Sequence, residues 1–264
     1  SPGKITEKDM LVEYVDFLIG MFGNELTAAQ RRLKVVIDAG NGMAGHTAPA
    51  VMEKLNVEVV PMYFELDGTF PNHEANPIDA ANVKDLQAAV KKHKADIGLA
   101  FDGDADRCLA VDQHGHEIDG DQIIAIIAAG MNQAGELKDS TVVTTVMSNL
   151  GFFKCMESLG IKTEVTSVGD RYVLEKMLAD DLTLGGEQSG HVINRKYANT
   201  GDGIMTALSL LQELKRSGKT LSEAAKIMEK YPQVLINVEN VAKERLASSS
   251  AIKNEVSRFE GELN

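Results

Sequence analysis

The chain has 264 residues, is 44% hydrophobic and 25% charged, and carries a formal charge of −12. That length and balance belong to a globular protein with room for one large domain or two of ordinary size. An acidic chain without a long basic run argues against a nucleic-acid partner, and no run approaches the ~18 apolar residues of a membrane span. The opening Ser1-Pro2-Gly3-Lys4 lacks signal-peptide character. Cys108 and Cys155 are too far apart in sequence to form a metal or redox motif, so both are expected to be small buried hydrophobes in a reduced, cytoplasmic setting.

Leu11, Tyr14, Val15, Leu18, Ile19 and Phe22 recur at helical spacing, with Gly23-Asn24 as the stop. Leu33 to Asp38 reads as a strand, followed by a glycine turn and a helix from Ala48 to Leu55, with Pro49 in its first turn. A strand from Val57 to Phe64, a loop from Asp67 to Pro77 and a helix from Asn82 to Lys94 lead to the apolar run Ile97-Gly98-Leu99-Ala100, a strand ending at Asp102. Leu109 to Asp112 is a short strand turned by Gln113-His114-Gly115.

The alternation then restarts. Gln122 to Asn132 is a helix, Ser140 to Val146 a strand, Leu150 to Leu159 a helix closed by Gly160, and Lys162 to Thr166 a strand. Arg171 to Ala179 is a helix, Leu182 to Leu184 leads into a second glycine turn, and Gly203 to Lys215 and Leu221 to Lys230 are helices. The repeated pattern predicts two tandem α/β domains with mainly parallel mixed sheets, 1–117 and 118–232. An incomplete tail, 233–264, starts with a strand from Val234 to Val238 and continues as a polar helix.

Three carboxylates at alternate positions, Asp102, Asp104 and Asp106, stand at the exit of the apolar strand and run into Arg107. Like charges this close repel, and a divalent cation with a preference for hard oxygen ligands, Mg²⁺, offsets the repulsion. An EF-hand loop is excluded, because position 6 is Arg107 instead of Gly and position 12 is Gln113 instead of Glu. A solvated acidic turn and an aspartyl nucleophile are the alternatives.

Gly40-Asn41-Gly42-Met43-Ala44-Gly45 matches G-x-G-x-x-G between a strand and a helix, with Glu65 where a ribose-binding acid would stand. A nucleotide-binding domain is one reading. A tight left-handed turn that lets helix and strand approach is the other. The second glycine turn, Gly185-Gly186-Glu187-Gln188-Ser189-Gly190-His191, groups a carboxylate, a hydroxyl and an imidazole suited to sugar hydroxyls, with His191 able to move a proton near neutral pH. Thr200-Gly201-Asp202-Gly203 is expected to be a turn capping the following helix. Arg171, at a helix start, either meets a phosphate or faces solvent.

Asp102-Gly-Asp-Ala-Asp-Arg107 resembles the metal loop of the α-D-phosphohexomutase family, and Gly186-Glu-Gln-Ser-Gly-His191 resembles its sugar-recognition loop. The resemblance covers the second and third of the four family domains. It implies interconversion of hexose 1-phosphate and 6-phosphate through a phosphoserine and a bisphosphate intermediate. In that scheme Mg²⁺ is held by Asp102, Asp104 and Asp106, and Arg107 steadies the transferring phosphate. Glu187 and Ser189 hold sugar hydroxyls, and His191 assists orientation or proton transfer. The family's Thr-Ala-Ser-His-Asn-Pro loop and Arg-x-Ser-Gly-Thr clamp do not occur in the sequence, so the chain alone is expected to be inactive. The stretch 67–77 and Ala105 resemble the phosphomannomutase/phosphoglucomutase branch, whereas the stretch from Ile118 onward resembles phosphoglucosamine mutase. A chimera of two branches is therefore one expectation. The implied partner is a mannose, glucose or glucosamine phosphate, with self-association through exposed interdomain faces. The competing classes are a nucleotide-binding domain and a non-catalytic two-domain scaffold.

Overall fold

The computed structural model of the chain describes residues 3–28, 31–236, 238, 240–246 and 248–263. They form two compact units, Ser1–Tyr231 and Pro232–Asn264. The larger unit holds two sheets. The first contains β1 (Leu33–Asp38), β2 (Val57–Met62), β3 (Ile97–Phe101), β4 (Cys108–Asp112) and β5 (Glu117–Ile118), in the order β2-β1-β3-β4-β5. The second contains β6 (Thr141–Thr145), β7 (Lys162–Thr166), β8 (Leu184–Gly186) and β9 (Val192–Asn194), in the order β7-β6-β8-β9. β1 runs parallel to β2 and β3, and β6 parallel to β7 and β8, while β4, β5 and β9 add antiparallel edges. This is the expected α/β class with tandem mixed sheets.

The helices are α1 (Leu11–Thr27), α2 (Ala44–Met52), α3 (Lys84–His93), α4 (Gly120–Gln133), α5 (Leu150–Ser158), α6 (Asp170–Ala179), α7 (Gly203–Ser217) and α8 (Leu221–Ala225). Strand alternation decides which helices cover which face. In β1, Val35 and Ile37 point into the main core, while Val36 joins a smaller cluster with Leu86 and Val90 of α3. In β6, Val142 joins the main core and Val143 a third cluster with Val173 and Met177 of α6. The main core also takes Phe22 of α1, Ile123 and Ile127 of α4, Phe152 of α5 and Leu208 and Leu211 of α7, so it runs unbroken between the sheets. α4 is apolar on nearly every side and is buried accordingly.

Several boundaries differ from expectation. α1 continues through Gly23-Asn24 to Thr27, because Leu26 is fully buried and tertiary packing outweighs glycine's low helix propensity. α2 begins at Ala44 instead of Ala48, which places Pro49 in the helix interior. β2 stops at Met62, since Tyr63 takes a left-handed φ of 55°. α8 ends at Ala225 instead of Lys230. The two-residue β5 and the short β9 carry too little pattern to be read in advance.

In the smaller unit, residues 234–236 and 238 belong to no strand, contrary to expectation, and residue 237 lies outside the described residues, as do Ser1 and Pro2 of the opening segment. Two helices follow, Lys243–Leu246 and Ser250–Leu263, in line with the helical tail expected there. No helix among the described residues is long and apolar enough to cross a membrane.

Candidate metal and sugar-phosphate site

In each sheet the strand order reverses direction beside the first parallel strand, and the crevice outside the carboxyl ends at such a point is where α/β proteins hold ligands. At the first sheet the reversal falls between β1 and β3, and at the second between β6 and β8. The acidic turn leaves β3, and the loop 187–191 leaves β8. Both motifs singled out in the sequence therefore stand at switch points.

Asp102, Asp104 and Asp106 each offer a carboxylate oxygen within 4.8 Å of the others. The turn achieves this by curling back: Ala105 takes a left-handed φ of 63°, and its N–H donates to the Asp102 carbonyl at 3.2 Å. Asp102 is buried; burial, with the neighbouring Asp106, pushes its carboxyl up to about 7, against a partial offset from the Arg107 backbone N–H that donates to it. The Arg107 side chain lies 3.4 Å from Asp102 Oδ2 and 3.7 Å from Asp106 Oδ1. The guanidinium thus faces two of the three carboxylates, and the buried Asp106 Oδ1 has no hydrogen-bond partner. This donor set fits a hard divalent cation such as Mg²⁺, which would be held by the three Asp and would supply charge neutralisation to a bound phosphate.

Backbone pairing joins the two motifs. Arg107 and His191 form an antiparallel bridge, the Cys108 N–H donates to the Gly190 carbonyl at 3.2 Å, and the Gly203 N–H donates to the Ala105 carbonyl at 2.9 Å. Gly190 adopts φ 93°, and a Cβ there would lie 2.6 Å from the Cys108 carbonyl, so this contact requires glycine.

The expected sugar-binding residues are placed as follows. Glu187 Oε1 accepts from the Gly169 N–H at 2.8 Å, and Glu187 and Ser189 are half-buried. His191 is 5% exposed, with Nε2 3.4 Å from Asp106 Oδ2 and 3.9 Å from Asp170 Oδ2. Its ring faces the acidic turn. Arg171 stands apart, its exposed side chain paired with Glu175 at 2.8 Å.

Asp202 caps α7, accepting from the Met205 N–H at 2.9 Å, and its carboxylate also accepts from the Tyr14 hydroxyl at 2.9 and 3.0 Å. Burial raises the Asp202 carboxyl and the Tyr14 hydroxyl above their ordinary ranges. Tyr14, Met43, His46, Asp104, Asp106 and Asp202 help to line a 540 Å³ cavity beside the turn. Neither Tyr14 nor Asp170 carries a local signal, because each reaches the site from an element distant in the chain.

The glycine motif does not present an open phosphate cradle. Gly40 adopts φ 52°, a Cβ on Gly42 would lie 2.7 Å from the Gly103 carbonyl, and the Met43 N–H at the head of α2 donates to that carbonyl at 3.0 Å. The turn lets β1 and α2 press against the acidic turn.

Two α/β layers joined at their switch points by a carboxylate turn and a polar glycine loop define the class, an α/β protein with tandem mixed sheets. Residues 12–115 match the model of phosphoglucomutase/phosphomannomutase α/β/α domain II, and residues 119–231 that of domain III. The chain belongs to the phosphoglucomutase/phosphomannomutase family. It is 45% identical over 264 residues to a phosphoglucosamine mutase of Caldicellulosiruptor bescii, covering 99% of this chain and 58% of the relative. It is 46% identical over 262 residues to one of Streptomyces griseus, covering 99% and 56%. The chain therefore spans little more than half the length of these relatives. Among solved structures, a phosphoglucomutase/phosphomannomutase family protein of Burkholderia thailandensis is similar with a TM-score of 0.77 at 28% identity, over 87% of this chain and 48% of that one. An Aspergillus fumigatus N-acetylphosphoglucosamine mutase, solved with GlcNAc-6P and magnesium, shares the fold with a TM-score of 0.66 at 19% identity, over 83% and 54%.

Proposed function

We propose that the chain is the metal-binding and sugar-binding part of a phosphohexomutase that interconverts hexose 1-phosphate and 6-phosphate, with glucosamine phosphate as the preferred substrate class. The observation that carries this reading is the convergence of Asp102, Asp104 and Asp106 within 4.8 Å, bonded through the backbone to the loop bearing Glu187, Ser189 and His191. Asp102, Asp104 and Asp106 hold Mg²⁺, Arg107 steadies a phosphate, and Glu187 and Ser189 accept and donate to sugar hydroxyls. His191 orients Asp106. Arg171 meets a phosphate only by leaving Glu175. The family's phosphoserine loop and fourth-domain clamp do not occur in these 264 residues, and this chain alone is expected not to turn over substrate. The limits of the family matches support a division between residues 117 and 118. A reduced cytoplasmic setting fits two free, buried cysteines.

The phosphoglucosamine branch is supported by matches that run across both halves of the chain. A recombined origin is the second reading, carried by the 67–77 loop and Ala105. A single genomic reading frame for both halves disposes of an engineered join. The functional test is Mg²⁺ titration of the wild type and Asp104→Ala, with and without glucosamine 6-phosphate. Saturable Mg²⁺ binding that the substitution removes supports the assignment. No metal response in either protein, or turnover of glucosamine 1-phosphate by the chain alone, overturns it.

A further inference from the structure

A second buried pair of titratable groups lies at the exit of β1. Asp38 is 2% exposed, and His73 Nε2 stands 3.1 and 3.2 Å from its two oxygens. His73 Nδ1 lies 2.8 Å from the Glu74 carbonyl, which only accepts, so Nδ1 carries a hydrogen. A neutral ring would then turn the Nε2 lone pair toward a carboxylate. The contact is attractive only with a proton between Nε2 and Asp38. Asp38 Oδ1 also accepts from the Gly40 N–H at 2.9 Å. The other titratable neighbours are Tyr63, whose ring meets His73 edge-on, and Asp85, which accepts from the Tyr63 hydroxyl at 2.7 Å.

The pair sits where three segments meet. Asn41 accepts through Oδ1 from Asn72 Nδ2 at 2.8 Å, donates through Nδ2 to the Glu65 carbonyl at 2.9 Å, and its own carbonyl accepts from the Asp67 N–H at 3.1 Å. The 65–76 loop is thereby laid over the glycine turn. On the far side of that turn, the Met43 N–H holds the Gly103 carbonyl, and a Cβ on Gly103 would rest 3.5 Å from Phe70 and 3.9 Å from Ala75 of the same loop. Gly103 lies between two of the three converging carboxylates.

We propose that Asp38 and His73 are positioning residues for the acidic turn, locking the 65–76 loop and the glycine turn against Gly103 so that Asp102, Asp104 and Asp106 converge. The proposal rests on the metal reading above. Neither residue belongs to the set of converging carboxylates; they act through Gly40, Asn41 and Gly103. An Asn at position 38 keeps the lock, since its carbonyl accepts from Gly40 and its amide donates to Nε2 of a neutral His73.

The test compares Mg²⁺ affinity by calorimetry in wild type, Asp38→Ala, His73→Ala and Asp38→Asn, with folding checked by circular dichroism. Amide hydrogen exchange at Met43 is read in parallel, with Val143 of the second sheet as an internal reference. Both Ala variants are expected to lose about tenfold in Mg²⁺ affinity, the scale of lost outer-sphere support, and to speed exchange at Met43 but not at Val143. Asp38→Asn is expected to stay within about twofold of wild type in both readouts. Ala variants that match wild type, or an Asn variant as impaired as Asp38→Ala, overturn the proposal. If the wild type binds no Mg²⁺, the metal reading fails and the exchange arm still decides the lock: faster Met43 exchange in His73→Ala upholds it, and unchanged exchange sinks it.

Discussion

The acidic turn at 102–107 and the loop at 187–191 occupy equivalent places on their sheets, are both held by backbone hydrogen bonds, and differ in charge. The turn is electrostatically strained, with three carboxylates, one Arg107 and a buried Asp102 pushed up to about 7. The loop is held at nearly every step: the Gly120 N–H donates to the Gln188 carbonyl at 2.9 Å, the Gly190 N–H to the Glu187 carbonyl at 3.0 Å, and the Gly169 N–H to the Glu187 side chain at 2.8 Å. The contrast suits the two ligand classes. A cation supplies the charge that its site lacks, whereas sugar hydroxyls need acceptors already in place, because reordering them costs binding free energy.

The strongest way to break the comparison is to deform the loop. A Cβ on Gly120 would collide with the Glu187 and Gln188 carbonyls, so Gly120→Ala is expected to destabilise the fold by about 3 kcal/mol, read as a lower midpoint in urea. Asp104→Ala removes an exposed carboxylate without touching the core and is expected to leave that midpoint nearly unchanged while weakening Mg²⁺ about 100-fold, roughly 2.7 kcal/mol. Equal urea midpoints for the two variants would erase the distinction.

The pH dependence sharpens it. Mg²⁺ competes with the proton on Asp102, so affinity is expected to fall as pH drops through about 7, approaching tenfold per unit below it, in a calorimetric series from pH 8 to 5.5. For the metal-free fold the sign is opposite. A carboxyl raised in the folded state stabilises below its unfolded value near ~3.9 and loses that contribution as pH rises through about 7. Asp121, pushed up to about 6 by burial, adds to the same trend. Melting temperature without metal should therefore decline from pH 5 to 8, and Mg²⁺ should restore it at pH 8. The smallest effect is expected from Glu187→Gln: the amide oxygen still accepts from Gly169, so stability should shift by less than about 1 kcal/mol, while affinity for glucosamine 6-phosphate falls.

Much of this was legible in the chain. β1 and β7 carry the expected limits because each is a short run rich in β-branched residues between turns. Asp202 was readable as a cap because its chemistry is local. Pro49 misled the reading of α2, because the helix start is set by Met43 bonding to Gly103, some 60 residues away. Arg171 was open between a phosphate and solvent, and in the structure its exposed side chain pairs with Glu175, one turn along.

By itself the sequence determined the α/β class, the turn with three carboxylates and the polar loop with Glu187, Ser189 and His191, since each depends on residues adjacent in the chain. Tertiary structure decided that Arg107 pairs with His191, that Tyr14 reaches Asp202, and that Asp38 and His73 close on one another across 35 positions. Those pairings arise where separate strands end at a shared crevice, and periodicity records which face of a strand is buried but not which strand ends lie side by side.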